Sequence, residues 1–222
     1  MKYLLHIDTS GDTGSVSIAS DGKLISTKIN TESRNHASAI NLMIDEVLAD
    51  ARITMAQLSA IAVCAGPGSY TGLRIGVATA KGLCYALNIP LLMDNKLTLL
   101  ANQARKIHGD KYNLYVPVLL AREKEYFIGS FDNVFNNIKE SKHIMEAELG
   151  EYFNATAAIC IISECIDPEV VSKYAENIHI EGSVNVDIKE WVSFTFEQYK
   201  CNNIVNLSTA EPFYLKQVYT HK

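Results

Sequence analysis

The chain has 222 residues and a formal net charge of −5; 48% of its residues are hydrophobic and 20% are charged. That balance excludes intrinsic disorder, and the acidic sign argues against a domain that holds nucleic acid unaided, which would carry a basic surface. The length admits one large domain or two small lobes.

The chain opens on three expected strands, residues 3–10, Gly14–Ser20 and Lys23–Asn30. They are joined by the turn sequences Gly11-Asp12-Thr13-Gly14 and Asp21-Gly22, the second a hairpin signal. The opening MKYLLHIDTS reaches Asp8 too early for a secretion signal. Residues 35–51 place Ile40, Met43, Ile44, Val47, Leu48 and Ala51 at helical spacing, with Ser33 or Asn35 able to cap the start. His36 lies in the first turn of that helix. The residue four positions on is Ile40, so there is no histidine pair, and His36 reads as a capping or surface group rather than a metal ligand.

The most distinctive stretch is residues 60–87, AIAVCAGPGSYTGLRIGVATAKGLCYAL. A short apolar run predicts a buried strand. The turn Gly66-Pro67-Gly68-Ser69-Tyr70-Thr71-Gly72 follows, and then a proline-free run long enough for a helix over 70–87. Strand, glycine turn and helix together gather backbone N–H groups where an anion can sit, or let another backbone come close. The turn is not a P-loop, because Leu73 and Arg74 stand where G-x-x-x-x-G-K-[ST] needs lysine and a hydroxyl. It is not a dinucleotide fingerprint, because Gly66, Gly68 and Gly72 are spaced one residue too wide. Gly72, Gly76, Ala80 and Cys84 recur every four residues. A glycine inside a helix costs about 1 kcal/mol relative to alanine, so this small-residue stripe is read as a smooth face on which a partner helix docks.

A strand over 91–94 and a helix over 96–107 come next. His108-Gly109-Asp110 then breaks the pattern, dividing the chain into a first lobe, 1–108, and a second, 109–222, whose last residues pack back on the first. The second lobe is expected to contain strands at 113–121, 125–131, 157–163 and Ile178–Glu181, with a polar loop or irregular edge over 132–141. A short helix starts at Pro168. A longer one runs over 187–201, capped by Asp187; its Trp191, Phe194 and Tyr199 read as core, since no basic residues interleave with them as a base-stacking platform would need.

The five cysteines, Cys64, Cys84, Cys160, Cys165 and Cys201, form no C-x-x-C pair, which fits a reduced, cytoplasmic protein with no zinc site. The histidines His6, His36, His108, His143, His179 and His221 form no H-x-x-x-H pair, so no metal site and no metallopeptidase is expected. Ser69 lacks the G-x-S-x-G elbow of a serine nucleophile. No apolar run is long enough to span a membrane.

GPGSYTGLRIGVATAKGL resembles the signature of the TsaB (YeaZ) family, as do LHIDTS at residues 5–10, RNHASA at 34–39, ALNIPLL at 86–92 and EPFYLK at 211–216. The resemblance is close over the first hundred residues and weak beyond them. It implies an α/β fold of the actin-like, ribonuclease-H-like class: two lobes of mixed sheet flanked by helices. It implies a role in the machinery that makes tRNA N6-threonylcarbamoyladenosine, as a scaffold that binds and activates a TsaD-like transferase. A TsaE-like ATPase would be a further partner, and tRNA would be met only through the complex.

Asp8, Ser10, Thr13 and Ser15 then correspond to the first phosphate loop of actin-like ATPases, although ordinary turn chemistry explains the same residues. Where the family carries Asp-Ala-Arg-x-Gly-Glu, this chain has Leu120, Ala121, Arg122, Glu123, Lys124 and Glu125. No paired-glycine adenosine loop follows. The nucleotide clamp is therefore incomplete, and a pseudo-enzyme without catalytic residues is expected, with ATP or ADP possible only at the interface of the complex. The expected partner interface comprises Gly68, Ser69, Tyr70, Thr71, Gly72, Leu73, Arg74, Gly76 and Ala80, with His36, Ile40 and Met43 from the neighbouring helix completing a four-helix contact. Without its partner the chain is expected to pair with itself. The rival readings are a glycopeptidase-like enzyme or small-molecule kinase of the same fold, and a plain homodimeric structural protein.

Overall fold

Alternating burial along the first thirty residues folds them into an antiparallel meander, β1 (Tyr3–Asp8), β2 (Gly14–Ser20) and β3 (Lys23–Asn30), in this computed structural model, which describes residues 1–32, 35–153 and 156–216. The apolar strand β4 (Leu58–Gly66) then adds to β1 in parallel, and β5 (Leu91–Asn95) adds to β4, giving the order β3-β2-β1-β4-β5. Parallel neighbours need crossover connections. Helix α1 (His36–Ala51) and a short 3-10 turn at Met55–Gln57 lead into β4, and α2 (Tyr70–Leu87) leads into β5. Both helices cover one face of the sheet: Ile40, Ile44 and Val47 of α1 and Val77, Ala80 and Cys84 of α2 share a core with Leu5, Ile7, Ile61 and Val63. Asn35 stands at the α1 cap position without a side-chain cap bond, and Ser33 lies outside the described residues.

Helix α3 (Lys96–His108) begins the second unit. The meander β6 (Leu114–Arg122), β7 (Glu125–Asp132) and β8 (Asn137–Met145) follows, with β9 (Ile159–Ile162) and β10 (Ile178–Glu181) parallel to β6, in the order β10-β9-β6-β7-β8. This is the strand order of the first sheet repeated. A 3-10 segment at Glu146–Tyr152 and the short α4 (Pro168–Val171) pack on one face of this sheet. On the other face, Leu100, Ala101 and Ala104 of α3 meet Tyr115, Phe131, Cys160 and Ile162. The last helix, α5 (Ile188–Lys200), returns to the first unit.

The two compact units are Met1–Lys96 with Asp187–Phe213, and Leu97–Val186 with the described residues from Tyr214 on. This differs from a division at His108. The helix α3 packs with the sheet that follows it, because its apolar stripe matches that sheet's face. The polar segment expected as a loop over 132–141 is partly the edge strand β8, along which Lys139, Glu140 and Lys142 are exposed. Charged residues on an edge strand discourage pairing with other chains.

Candidate functional site

The sequence-singled residues meet at the C-terminal ends of β1 and β4. The β1–β2 turn holds Asp8, Ser10, Thr13 and Ser15, and the Gly66–Gly72 turn lies across it. Asp8 Oδ1 accepts from the Ser10 backbone N–H at 2.8 Å, closing the turn on itself. Ser10 is buried at 2% exposure, its hydroxyl 3.6 Å from Cys64 Sγ, so it does not face a ligand. Burial pushes the Cys64 thiol up, keeping it an inert thiol. Thr13 is exposed, and the Lys96 amine lies 3.8 Å from where a side chain on Gly11 would begin. Lys96 is far from this turn in sequence and only the parallel β4–β5 pairing delivers it, so no local pattern could have marked it.

The glycines have a steric explanation inside the chain. A methyl group on Gly68 would lie 2.2 Å from the Ser10 carbonyl oxygen, and one on Gly72 would lie 1.9 Å from that of Thr9. Two hydrogen bonds fix the approach: Ser69 N–H to the Ser10 carbonyl at 2.8 Å, and the Thr9 hydroxyl to the Gly72 carbonyl at 2.7 Å. The Ser69 hydroxyl caps α2 by accepting from Gly72 N–H at 3.3 Å, and its carbonyl accepts from Leu73 N–H at 2.8 Å. The N–H groups of Ser69, Gly72 and Leu73 are thus committed to the fold and do not form an anion nest.

The small-residue stripe points inward. Gly72, Leu73, Gly76, Ala80 and Cys84 are all buried within the unit. A methyl on Gly76 would lie 2.4 Å from the Thr9 hydroxyl and about 3.5 Å from Val63 and Ile7. This overturns the expectation that Gly72, Gly76 and Ala80 form a docking face: they let α2 sit close to β1 and β4. His36, Ile40 and Met43, expected at the same interface, are also buried. His36 is neither a cap nor a surface group. Its Nε2 lies 3.2 Å from the Gly11 carbonyl and its Nδ1 3.4 Å from the Asn30 amide, bracing the β1–β2 turn. Of the expected interface, Gly68, Ser69, Tyr70, Thr71 and Arg74 are exposed, with the Arg74 guanidinium 4.0 Å over the Tyr70 ring. The outward face of α2 continues through Ala78, Gly82 and Tyr85, the last 84% exposed.

In the second unit, Leu120 to Lys124 form the β6–β7 hairpin, with Leu120 exposed and Lys124 at φ 57°. Glu125 is bound by Lys216 and by His143 Nε2 at 2.8 Å, and these two partners hold its carboxyl below the usual range. Glu125 therefore ties the residue Lys216 to the hairpin. No helix among the described residues is long and apolar enough to cross a membrane, and all five cysteines are free thiols.

A family model described as TsaD, tRNA N6-adenosine threonylcarbamoyltransferase, matches residues 24–208. The tRNA threonylcarbamoyladenosine biosynthesis protein TsaB of Haemophilus influenzae is 31% identical over 154 residues, 68% of this chain and 58% of that protein. The tRNA N6-adenosine threonylcarbamoyltransferase of Anaplasma marginale is 26% identical over 184 residues, 76% of this chain and 53% of that protein. The matches thus span little more than half the length of these relatives. The solved structure of YeaZ from Pseudomonas aeruginosa superposes with a TM-score of 0.78 at 22% identity, covering 97% of this chain and 100% of that one. With two mixed sheets flanked by helices, the fold is of the actin-like class.

Proposed function

Since the chain belongs to the TsaD, tRNA N6-adenosine threonylcarbamoyltransferase, family and to its TsaB (YeaZ) members in tRNA threonylcarbamoyladenosine biosynthesis, we propose that it acts there as a non-catalytic subunit. In this reading it binds and activates a TsaD-like transferase, a TsaE-like ATPase joins them, and tRNA is engaged only by the assembled complex. One observation carries the reading: the glycine turn that a nucleotide site would use is closed on its own neighbour. Gly68 and Gly72 lie against the Ser10 and Thr9 carbonyls, which present negative charge where a phosphate would need donors. The Leu120–Lys124 hairpin, with neither aspartate nor glycine, supports the same reading for the second loop.

With the small-residue stripe turned inward, the partner contact moves to the outward side of α2, through Tyr70, Thr71, Arg74, Ala78, Gly82 and Tyr85. A Cβ added at Gly82 meets nothing within 4 Å, so Gly82→Arg should keep the fold and obstruct a partner on this face. Sedimentation of the chain alone and mixed with a TsaD-like transferase should show a homodimer and a heterodimer for wild type, both weakened by Gly82→Arg. Adding tRNA, an activated threonylcarbamoyl donor whose activating group leaves on transfer, and a TsaE-like ATPase should give modified adenosine only when this chain is present, and Asp8→Ala should modify as well as wild type. Stoichiometric ATP binding by the isolated chain, or loss of modification by Asp8→Ala in an intact complex, would restore an enzymatic reading.

A further inference from the structure

His108 and His179 are distant in the sequence, and the packing of α3 on its sheet brings them together. His108 is the last residue of α3, four positions after Ala104, on the stripe that packs against Tyr115, Cys160 and Ile162. His179 and Glu181 are two apart on the edge strand β10, so their side chains share one face. The register pairs His179 with Cys160 and Glu181 with Ile162, which fixes that face as the one α3 covers. One imidazole nitrogen from each histidine and a Glu181 carboxylate oxygen all lie within 4.8 Å of one another. His108 Nε2 is 3.3 Å and His179 Nε2 is 3.9 Å from Glu181 Oε2.

We propose that His108, His179 and Glu181 form a site for one divalent transition-metal cation of the zinc class. Zinc takes imidazole and carboxylate ligands at about 2.0–2.2 Å, and two such ligands at a tetrahedral ion stand roughly 3.3 Å apart. The His108–Glu181 pair already stands at that spacing, and His179 Nε2, 3.9 Å from the same oxygen, has about half an ångström to close. His179 Nε2 is shielded from solvent and makes no hydrogen bond among the described residues, leaving its lone pair or proton unused. Its ring is held by stacking on Tyr112, with centroids 5.5 Å apart and planes 8° off parallel, and Tyr112 is itself buried. His108 meets the same tyrosine edge-on at 5.4 Å. Both rings are thus oriented before any ion arrives, which lowers the ordering cost of binding. The negative end of the α3 dipole adds a favourable field for a cation. Three protein ligands leave a fourth position for water or a partner's side chain. The bound ion would clip the end of α3 to the edge of the sheet.

The test uses the full chain, freed of metal with chelator and titrated with Zn²⁺ by calorimetry, with native mass spectrometry for stoichiometry. One ion per chain is expected. His179→Ala and Glu181→Gln should each weaken binding about tenfold or more, since even outer-shell changes at metal sites commonly cost that much. His143→Gln, at the other histidine–carboxylate pair of this unit, and Cys201→Ser, at the exposed thiol, should bind as wild type. Circular dichroism of each variant, with His108→Gln as a third ligand change, separates lost ligation from lost folding. The proposal is overturned by no binding above background, by equal affinity in all folded ligand variants, or by binding that Cys201→Ser abolishes.

Discussion

Asp94 and His6 are two ionisable side chains buried in the same layer of the first unit, and each is displaced from its ordinary titration by that burial. Asp94 Oδ2 accepts from Trp191 Nε1 at 2.7 Å and from the Thr195 hydroxyl at 3.0 Å. Burial outweighs these two bonds and pushes its carboxyl up to about 6. His6, whose ring meets the Trp191 edge at 5.1 Å, is pushed down to about 3 by burial. The signs are opposite. The His6 contribution is present above its unfolded value near 6.5 and is lost as pH falls toward about 3. The Asp94 contribution is present below its unfolded value near 4 and is lost as pH rises through about 6. Between about pH 6 and 4 the two slopes cancel. Asp94→Asn removes one of them, so its stability should fall relative to wild type by about 1.4 kcal/mol per pH unit on acidification through that window. Urea midpoints of both proteins at several pH values measure the difference, from which surface carboxylates drop out. Parallel pH profiles would show that Asp94 is ionised throughout. Neither shift was legible in the sequence: Asp94 ends an ordinary apolar run, and its partners arrive from a helix late in the chain.

At the scale of the element, α2 shows where periodicity stops being informative. The repeat of Gly72, Gly76, Ala80 and Cys84 was plain, and so was its consequence that something comes close. The sequence could not say what, because Thr71, Ala78, Gly82 and Ala86 make a second small face on the other side. Helical spacing assigns residues to faces, and only a contrast in polarity tells which face is inside. The structure resolves the ambiguity through Thr9, whose carbonyl and hydroxyl occupy the space beside Gly72 and Gly76. The two faces therefore answer differently to the same substitution. Gly72→Ala drives a methyl into the Thr9 carbonyl and should destabilise by about 1–3 kcal/mol, the range for overpacking. Gly82→Ala meets nothing within 4 Å and should stabilise by up to about 1 kcal/mol through helix propensity. Thermal unfolding of the two variants decides it. A Gly72→Ala protein as stable as wild type would mean the α2–β1 approach is looser than these contacts require.

At the scale of the whole molecule, the strands of the first sheet are readable one by one and those of the second are too except β8, whose polar sequence reads as a loop, whereas the path of the chain between units is not. The break at His108-Gly109-Asp110 is a true turn, but α3 before it belongs to the unit that follows. Turn residues mark where a helix stops, and they carry no information about which sheet its apolar stripe will cover. The sequence leads one to expect the last residues of the second lobe on the first; the segment that completes the first unit is Asp187–Phe213, and the described residues from Tyr214 on group with the second. That return supplies specific bonds: Val205 N–H to the Leu91 carbonyl at 3.0 Å, Phe213 N–H to the Ala65 carbonyl at 2.8 Å, and Lys81 Nζ to the Ala210 carbonyl at 2.7 Å. It also brings Trp191 and Thr195 to Asp94, and Phe196 to within 3.1 Å of where a side chain on Gly22 would begin. A chain ended at His108 would lose all of these at once. Asp94 and His6 would face water in place of Trp191 and Thr195, and the apolar burial that α5 gives their side of the sheet would be lost. The sheet face under α5 would open to water as well. Residues 1–108 alone should therefore bind a hydrophobic dye and melt without a cooperative transition. Met1–Lys96 joined through a Gly/Ser linker to Asp187–Phe213 should unfold cooperatively in urea. Should residues 1–108 instead unfold in one sharp step, with a urea dependence matched to their size, the returning segment would be an ornament on a lobe that folds without it.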